Sequence, residues 1–139
     1  QGSRRSPVRV GGGVAHGPHP RSFRQRLPKK MRRQALRIAL SDKVREDAVT
    51  VIDAIKVEVP KSSVIRDIVA AFDLSGRTLI VTGATDQDVV KSASNLPGIE
   101  VQAAALMNPL EATTASNLIF TQEAIATIDG LWGSAGGEK

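Results

Sequence analysis

The sequence predicts an α/β domain of three layers: a mostly parallel sheet of about four strands, helices on both faces, and an extended basic arm leading in. Three observations carry this. From Ala48 onward, short β-branched runs alternate with segments of helical periodicity. One run, Thr78-Leu-Ile-Val-Thr82, is almost continuously apolar, as a strand buried on both faces requires. Charge also divides along the chain. Of the 19 Lys+Arg, 13 lie before Glu46, together with only one of the 14 Asp+Glu, so that segment carries +12 and the rest −7.

Residues 1–27 hold Pro7, Gly11-Gly12-Gly13, Gly17-Pro18 and Pro20, with too little apolar surface to fold alone, and read as the arm. Leu27-Pro28 opens a helix, with proline suited to its first turn, that runs from Lys29 to about Asp47. Met31, Ala35, Ile38 and Ala39 recur at i, i+4, i+7 and i+8, extended by Leu36 and Leu40, and are expected to face the core. Lys29, Arg33 and Arg37 fall four apart on another face, with Arg26, Lys30 and Arg32 beside them, forming a cationic ridge.

Residues 48–53 are strand-like and continue toward Val59, where Pro60 stops them. Ser62 or Ser63 caps a helix with Ile65, Ile68, Val69 and Phe72 on one face, ended by Gly76. After the strand at 78–82, Asp86 caps a helix carrying Val89, Val90 and Ala93, and Pro97-Gly98 turns the chain. Ile99 to Ala103 is a third strand, a short helix lies near Pro109–Ala115, and Leu118 to Thr121 is a fourth strand. A helix from Gln122 to Leu131 closes the domain with Ala124, Ile125 and Ile128. The domain thus spans 28–132, and 133–139 is expected to be a flexible tail.

Several chemistries are excluded. The chain has no cysteine, hence no disulfide, thiolate site or Cys nucleophile. It has no apolar run near the ~18–20 residues needed to cross a bilayer, and no apolar signal-peptide core. The Arg- and Ser-rich start superficially resembles a transit peptide, but its triple glycine and prolines oppose the amphipathic helix such peptides form. Leu79-Ile-Val-Thr-Gly-Ala-Thr85 resembles the first strand and turn of a dinucleotide site. Asp86, Gln87 and Asp88 follow where further glycines belong, and two acids repel phosphate. The glycine run at 11–13 lacks the Gly-Lys-Ser/Thr ending of a phosphate loop; its expected use is close backbone approach to RNA.

His16 and His19 flank Pro18 with no acid or cysteine nearby, so they are read as phosphate or base contacts rather than metal ligands. No positioned nucleophile–base pair exists beside them, so no catalytic residue, metal or cofactor is expected. Of the aromatics, only Phe23 lies in the arm. Recognition should therefore run through phosphate, 2′-OH and shape rather than base stacking. Phe72 and Phe120 read as core, and Trp132 as a packing lid. The expected RNA-binding set is Arg4, Arg5, Arg9, Gly11, Gly12, Gly13, His16, Arg21, Arg24, Arg26, Lys29, Lys30, Arg32, Arg33 and Arg37.

Two runs carry a family resemblance. Arg5-Ser6-Pro7 through Gly11-Gly12-Gly13-Val14, Gly17-Pro18 and Pro20-Arg21 resembles the returning limb of an extended loop in the bacterial and organellar ribosomal protein L4 family. Leu27-Pro28-Lys29-Lys30-Met31-Arg32-Arg33-Gln34-Ala35-Leu36 is similar to the basic helix after that limb; Leu40-Ser41-Asp42, Ala93-Ser94-Asn95-Leu96-Pro97 and Met107-Asn108-Pro109-Leu110 follow in the same order. The resemblance implies a non-enzymatic constituent of the large ribosomal subunit, with an α/β domain at the surface and a loop threading ribosomal RNA near the nascent-peptide tunnel. It implies large-subunit ribosomal RNA and neighbouring ribosomal proteins as partners, and neither a membrane nor a small-molecule substrate. The location implied is the ribosome, cytoplasmic in a bacterium and otherwise in a plastid or mitochondrion.

On the same basis the chain is N-terminally incomplete, the family's first strand, first helix and loop tip falling before Gln1. It departs from the family at Arg9-Val10, where Trp-Arg is common, and at His16, where an aromatic commonly precedes Gly-Pro. Two other readings compete: a small nucleotide-binding α/β enzyme with a basic substrate-binding arm, and a DNA-binding accessory protein.

Overall fold

A computed structural model describes residues 2–57 and 59–133. After the arm come helix α1 (Lys29–Arg45), strand β1 (Val49–Ile52), α2 (Ser62–Ala71), β2 (Thr78–Thr82), α3 (Gln87–Ala93) and β3 (Ile99–Ala103). A short 3-10 turn at Ala104–Leu106 precedes α4 (Pro109–Thr114), β4 (Asn117–Thr121) and α5 (Gln122–Trp132). The strands form one all-parallel sheet in the order β1-β4-β2-β3. The expected α/β class with a four-stranded parallel sheet is therefore what the chain adopts. The expected tail lies outside the described residues, apart from Gly133.

The central pair β2 and β4 builds the core. Every residue of β2 is buried, and alternate side chains serve opposite faces. Leu79, Val81, Leu118 and Phe120 meet Leu36 and Ala39 of α1, Ala112 of α4 and Ala124 of α5. Ile80 and Ile119 point the other way, onto Ile65 of α2 and Val89 and Ala93 of α3. Asp86 caps α3 as expected, its Oδ1 accepting from the N–H of Asp88 at 2.9 Å and of Val89 at 3.4 Å. Asn108 and Thr121 cap α4 and α5 in the same manner.

Four expectations are corrected. The apolar stripe of α1 is turned: Met31 and Ile38 are 55% and 61% exposed, while Leu36 and Ala39 are buried and Leu40 packs on the core. The helix has two apolar lines, and only this one lies over the small side chains of α4. Phe72 is 44% exposed; α2 stops at Ala71, and Leu74 folds back onto the core in its place. Neither Ser62 nor Ser63 caps α2, because the helix begins at Ser62 behind an extended Lys61. Strand β1 ends at Ile52, well before Val59.

Helices α1 and α2 end alike. Beyond α1, Asp47 has φ 52°, with Ala48 N–H donating to Lys43 O and Asp47 N–H to Val44 O. Beyond α2, Asp73 has φ 53°, with Leu74 N–H donating to Val69 O and Asp73 N–H to Ala70 O. This is the pattern in which a left-handed residue turns the chain out of a helix, a position that glycine fills without steric cost. An aspartate there bears backbone strain and also sets negative charge at the negative end of the helix dipole. Asp47→Gly and Asp73→Gly are each expected to stabilise the domain by about 0.5–1 kcal/mol, seen as a rise of roughly 3–6 °C in melting temperature by calorimetry.

Candidate nucleic-acid interface

The described arm contains neither helix nor strand. Its first part is not extended, which corrects the expectation for those residues. The backbone N–H of Ser6 donates to Ser3 O at 3.1 Å, that of Arg9 to Ser6 O at 3.0 Å, and that of Gly12 to Arg9 O at 2.9 Å. Each bond spans three residues, so these are successive tight turns. The Gly13 N–H then reaches back to Arg5 O at 2.9 Å and closes them into a knuckle. Gly11 has φ 75°, and a Cβ on Gly12 would collide with the carbonyl oxygens of Ser6 and Arg9. The glycine run is thus used first by the chain itself, to close these turns, with Arg4, Arg5 and Arg9 exposed around them. From Val14 to Pro28 the chain has one turn, at Ala15–His16, where His16 has φ 52°. Arg21 lies over the Phe23 ring, 4.6 Å from its centroid, which holds a guanidinium on the arm's single aromatic.

Where the arm enters α1, Arg24, Arg26 and Arg32 line one recess of about 500 Å³ together with Gln25 and Leu27. Arg24 and Arg26 come from the arm and Arg32 from the first turn of the helix. Sequence reasoning named all three but not their convergence. Helix α1 itself is arranged against its own stability. Pro28 stands at its N-cap with no side-chain cap, and its first turn has no acidic residue. Lys29, Lys30 and Arg32 crowd the positive end of the helix dipole, where each exposed cation costs about 0.3–1 kcal/mol, and Arg33 follows half-buried behind them. Lys29 with Arg33, and Arg33 with Arg37, add like-charge i, i+4 repulsion. Among the described residues no acidic side chain pairs with Lys29, Lys30, Arg32 or Arg33. A phosphate at this end would relieve both penalties.

Arg37 is different. Its Nε donates to Trp132 O at 2.6 Å and its Nη2 to Gly133 O at 2.8 Å. The guanidinium thus caps the carbonyl end of α5 and ties α1 to it. Arg37→Ala is expected to destabilise the domain by about 1–2 kcal/mol, read as an earlier urea midpoint, whereas Arg33→Ala leaves that midpoint unchanged or later.

The crevice outside the carboxyl ends of β2 and β4, where open α/β sheets take nucleotides, is acidic instead. Asp53, Asp86 and Glu123 line about 390 Å³ there. The α3 N–H groups that would meet a phosphate are already held by Asp86. A Cβ on Gly83 would lie 2.7 Å from that of Glu123, so this glycine serves the packing of α5 against the strand end. No group of three or more His, Asp or Glu suited to a metal occurs among the described residues, and no helix there is long and apolar enough to cross a membrane.

The fold and the cationic surface together define a parallel α/β domain whose first helix opens on Lys29, Lys30, Arg32 and Arg33, none of them paired with an acidic side chain among the described residues. Comparison with known proteins gives the family. Residues 1–131 match the model of the ribosomal protein L4/L1 family. The chain is 41% identical over 132 residues to the large ribosomal subunit protein uL4 of Symbiobacterium thermophilum, covering 95% of this chain and 64% of that relative. The chain belongs to the ribosomal protein L4/L1 family, and it spans a little under two thirds of the length of the curated relative it matches. This is a family of structural proteins, not enzymes.

Proposed function

We propose that the chain is a structural constituent of the large ribosomal subunit that binds ribosomal RNA through its arm and the start of α1, stabilising RNA folding near the nascent-peptide tunnel. The observation that supports this reading most directly is the unpaired charge of Lys29, Lys30, Arg32 and Arg33 at a helix N-terminus, continuous in sequence with the Arg24–Arg26–Arg32 recess. Guanidinium groups bridge phosphates in forked geometry and neutralise RNA strands that otherwise repel each other. Arg4, Arg5, Arg9, His16 and Arg21 extend the contact along the arm, whereas Arg37, also expected to contact RNA, has its guanidinium on the carbonyl end of α5 and serves to hold α1 there. Neighbouring ribosomal proteins are the remaining partners, and the ribosome of the cytoplasm or of an organelle is the location.

The test is competition binding at one salt concentration. Large-subunit ribosomal RNA should displace labelled RNA at least tenfold better than duplex DNA of equal length, and the chain should give no calorimetric response to NAD or ATP. Equal affinity for the two polyanions would favour a DNA-binding accessory protein; a tight nucleotide response would favour the enzyme reading.

A further inference from the structure

The outer edge of β3 carries chemistry that RNA binding does not use. β3 is the last strand of the sheet, paired only with β2 among the described residues. Thr78 N–H donates to Gly98 O at 2.8 Å, and the Thr82 hydroxyl to Gln102 O at 3.5 Å. Backbone groups alternate sides along a strand, so those of Gly98, Glu100 and Gln102 face β2 and those of Val101 face outward. Exposed ladder groups of this kind are a template for another strand.

A recess of about 470 Å³ wraps this edge. On one side it is apolar, lined by Val90, Ala93 and Leu96. On the other it contains Glu100, Gln102 and Glu111. Gln102 Nε2 donates to Leu106 O at 3.2 Å, which fixes the amide and leaves Oε1 as an acceptor. Gln102 Oε1 and Glu111 Oε2 are both buried, and neither has a hydrogen-bond donor among the described residues. Buried acceptors are nearly always satisfied, by protein or by water, so two of them on residues of one recess leave room for a donor from outside. A carboxylate and an amide oxygen on one recess suit the planar, multiply donating guanidinium. The strand already holds one such group, since Arg77 Nη2 meets Glu100 Oε1 at 2.7 Å.

We infer that the β3 edge docks an extended segment of a neighbouring protein in which arginine alternates with apolar residues. The segment adds as a fifth strand along Val101. Its apolar side chains enter the Val90–Ala93–Leu96 side, and an arginine reaches Gln102 Oε1 and Glu111 Oε2. Charge favours a basic peptide here, since the charged residues lining the recess are Glu100 and Glu111. The inference deepens the partner part of the ribosomal reading but depends on it only for where such a partner is met, because the recess chemistry stands alone.

The test is titration of the ¹⁵N-labelled full chain with acetyl-Val-Arg-Val-Arg-Val-amide, followed by NMR. Shifts should centre on the Val101 amide and the Gln102 side-chain amide. Replacing arginine by citrulline, which keeps shape and loses charge, should weaken binding at least tenfold, and so should N-methylation of alternate peptide amides, which blocks the ladder. Glu111→Gln, nearly isosteric, should weaken the arginine peptide tenfold and leave the citrulline peptide unchanged. Shifts elsewhere, equal binding of arginine and citrulline peptides, or burial of the Val101 edge by self-association would overturn the inference. Loss of peptide binding with ribosomal RNA binding intact would sink this proposal alone; loss of RNA binding would sink the ribosomal reading alone.

Discussion

Replacing Arg24, Arg26 and Arg32 together by glutamine is expected to weaken binding to large-subunit ribosomal RNA roughly 100- to 1000-fold near 0.1 M salt. The three line one recess at the mouth of α1, and all three are exposed, so the substitution leaves the core untouched. Each phosphate contact releases condensed counterions and adds about −0.7 to −0.9 to the log–log salt slope. If about eight phosphates are engaged, the parent slope is near −6 to −7. Losing three contacts should flatten it by about 2–3. Filter binding across a potassium chloride series reads both quantities at once. A tenfold loss with an unchanged slope would mean that the recess positions the arm without touching phosphate. Because the substitutions also remove a cation from the α1 N-terminus, the free variant should melt slightly later than the parent, which separates lost contacts from lost structure.

Much of this was legible in the sequence, and the misses share a physical cause. β2 was readable because five apolar or β-branched residues in a row have few alternatives. The α3 cap was readable because Asp86 acts on N–H groups two and three residues away. What failed was decided at long range. Met31 and Ile38 have as good a helical spacing as Leu36 and Ala39; only the packing of Ala112 and Ala115 against one line selects it. Arg37 reads as one more cation on a ridge, but its partners lie at Trp132 and Gly133. The turns at Asp47 and Asp73 escaped for another reason: the left-handed position is held by aspartate, so the usual glycine signal is missing. The acceptors Gln102 Oε1 and Glu111 Oε2 have no sequence signature, because being unsatisfied is a property of the assembled recess.

Phe120→Ala should separate the two halves of the design. Phe120 is 4% exposed at the centre of the sheet and shares a cluster with Leu36 and Ala39 of α1 and with Ala124 of α5. Truncating a buried phenylalanine costs about 3–5 kcal/mol, a large part of the ~5–15 kcal/mol that holds a small domain folded. The urea midpoint should fall by about 2 M. The cationic residues of the arm are exposed and outside that core, and the backbone turns from Ser3 to Gly13 close among themselves. The salt slope with ribosomal RNA should therefore stay within about 2 of the parent value, because counterion release counts charges rather than shape. At a urea concentration between the two midpoints, where the variant is unfolded and the parent folded, the variant's preference for ribosomal RNA over duplex DNA should collapse, because Leu36 and Ala39 then no longer hold α1. If selectivity survived at a urea concentration that unfolds the variant, recognition would reside in the arm alone, and the domain would be an anchor with no part in choosing the RNA.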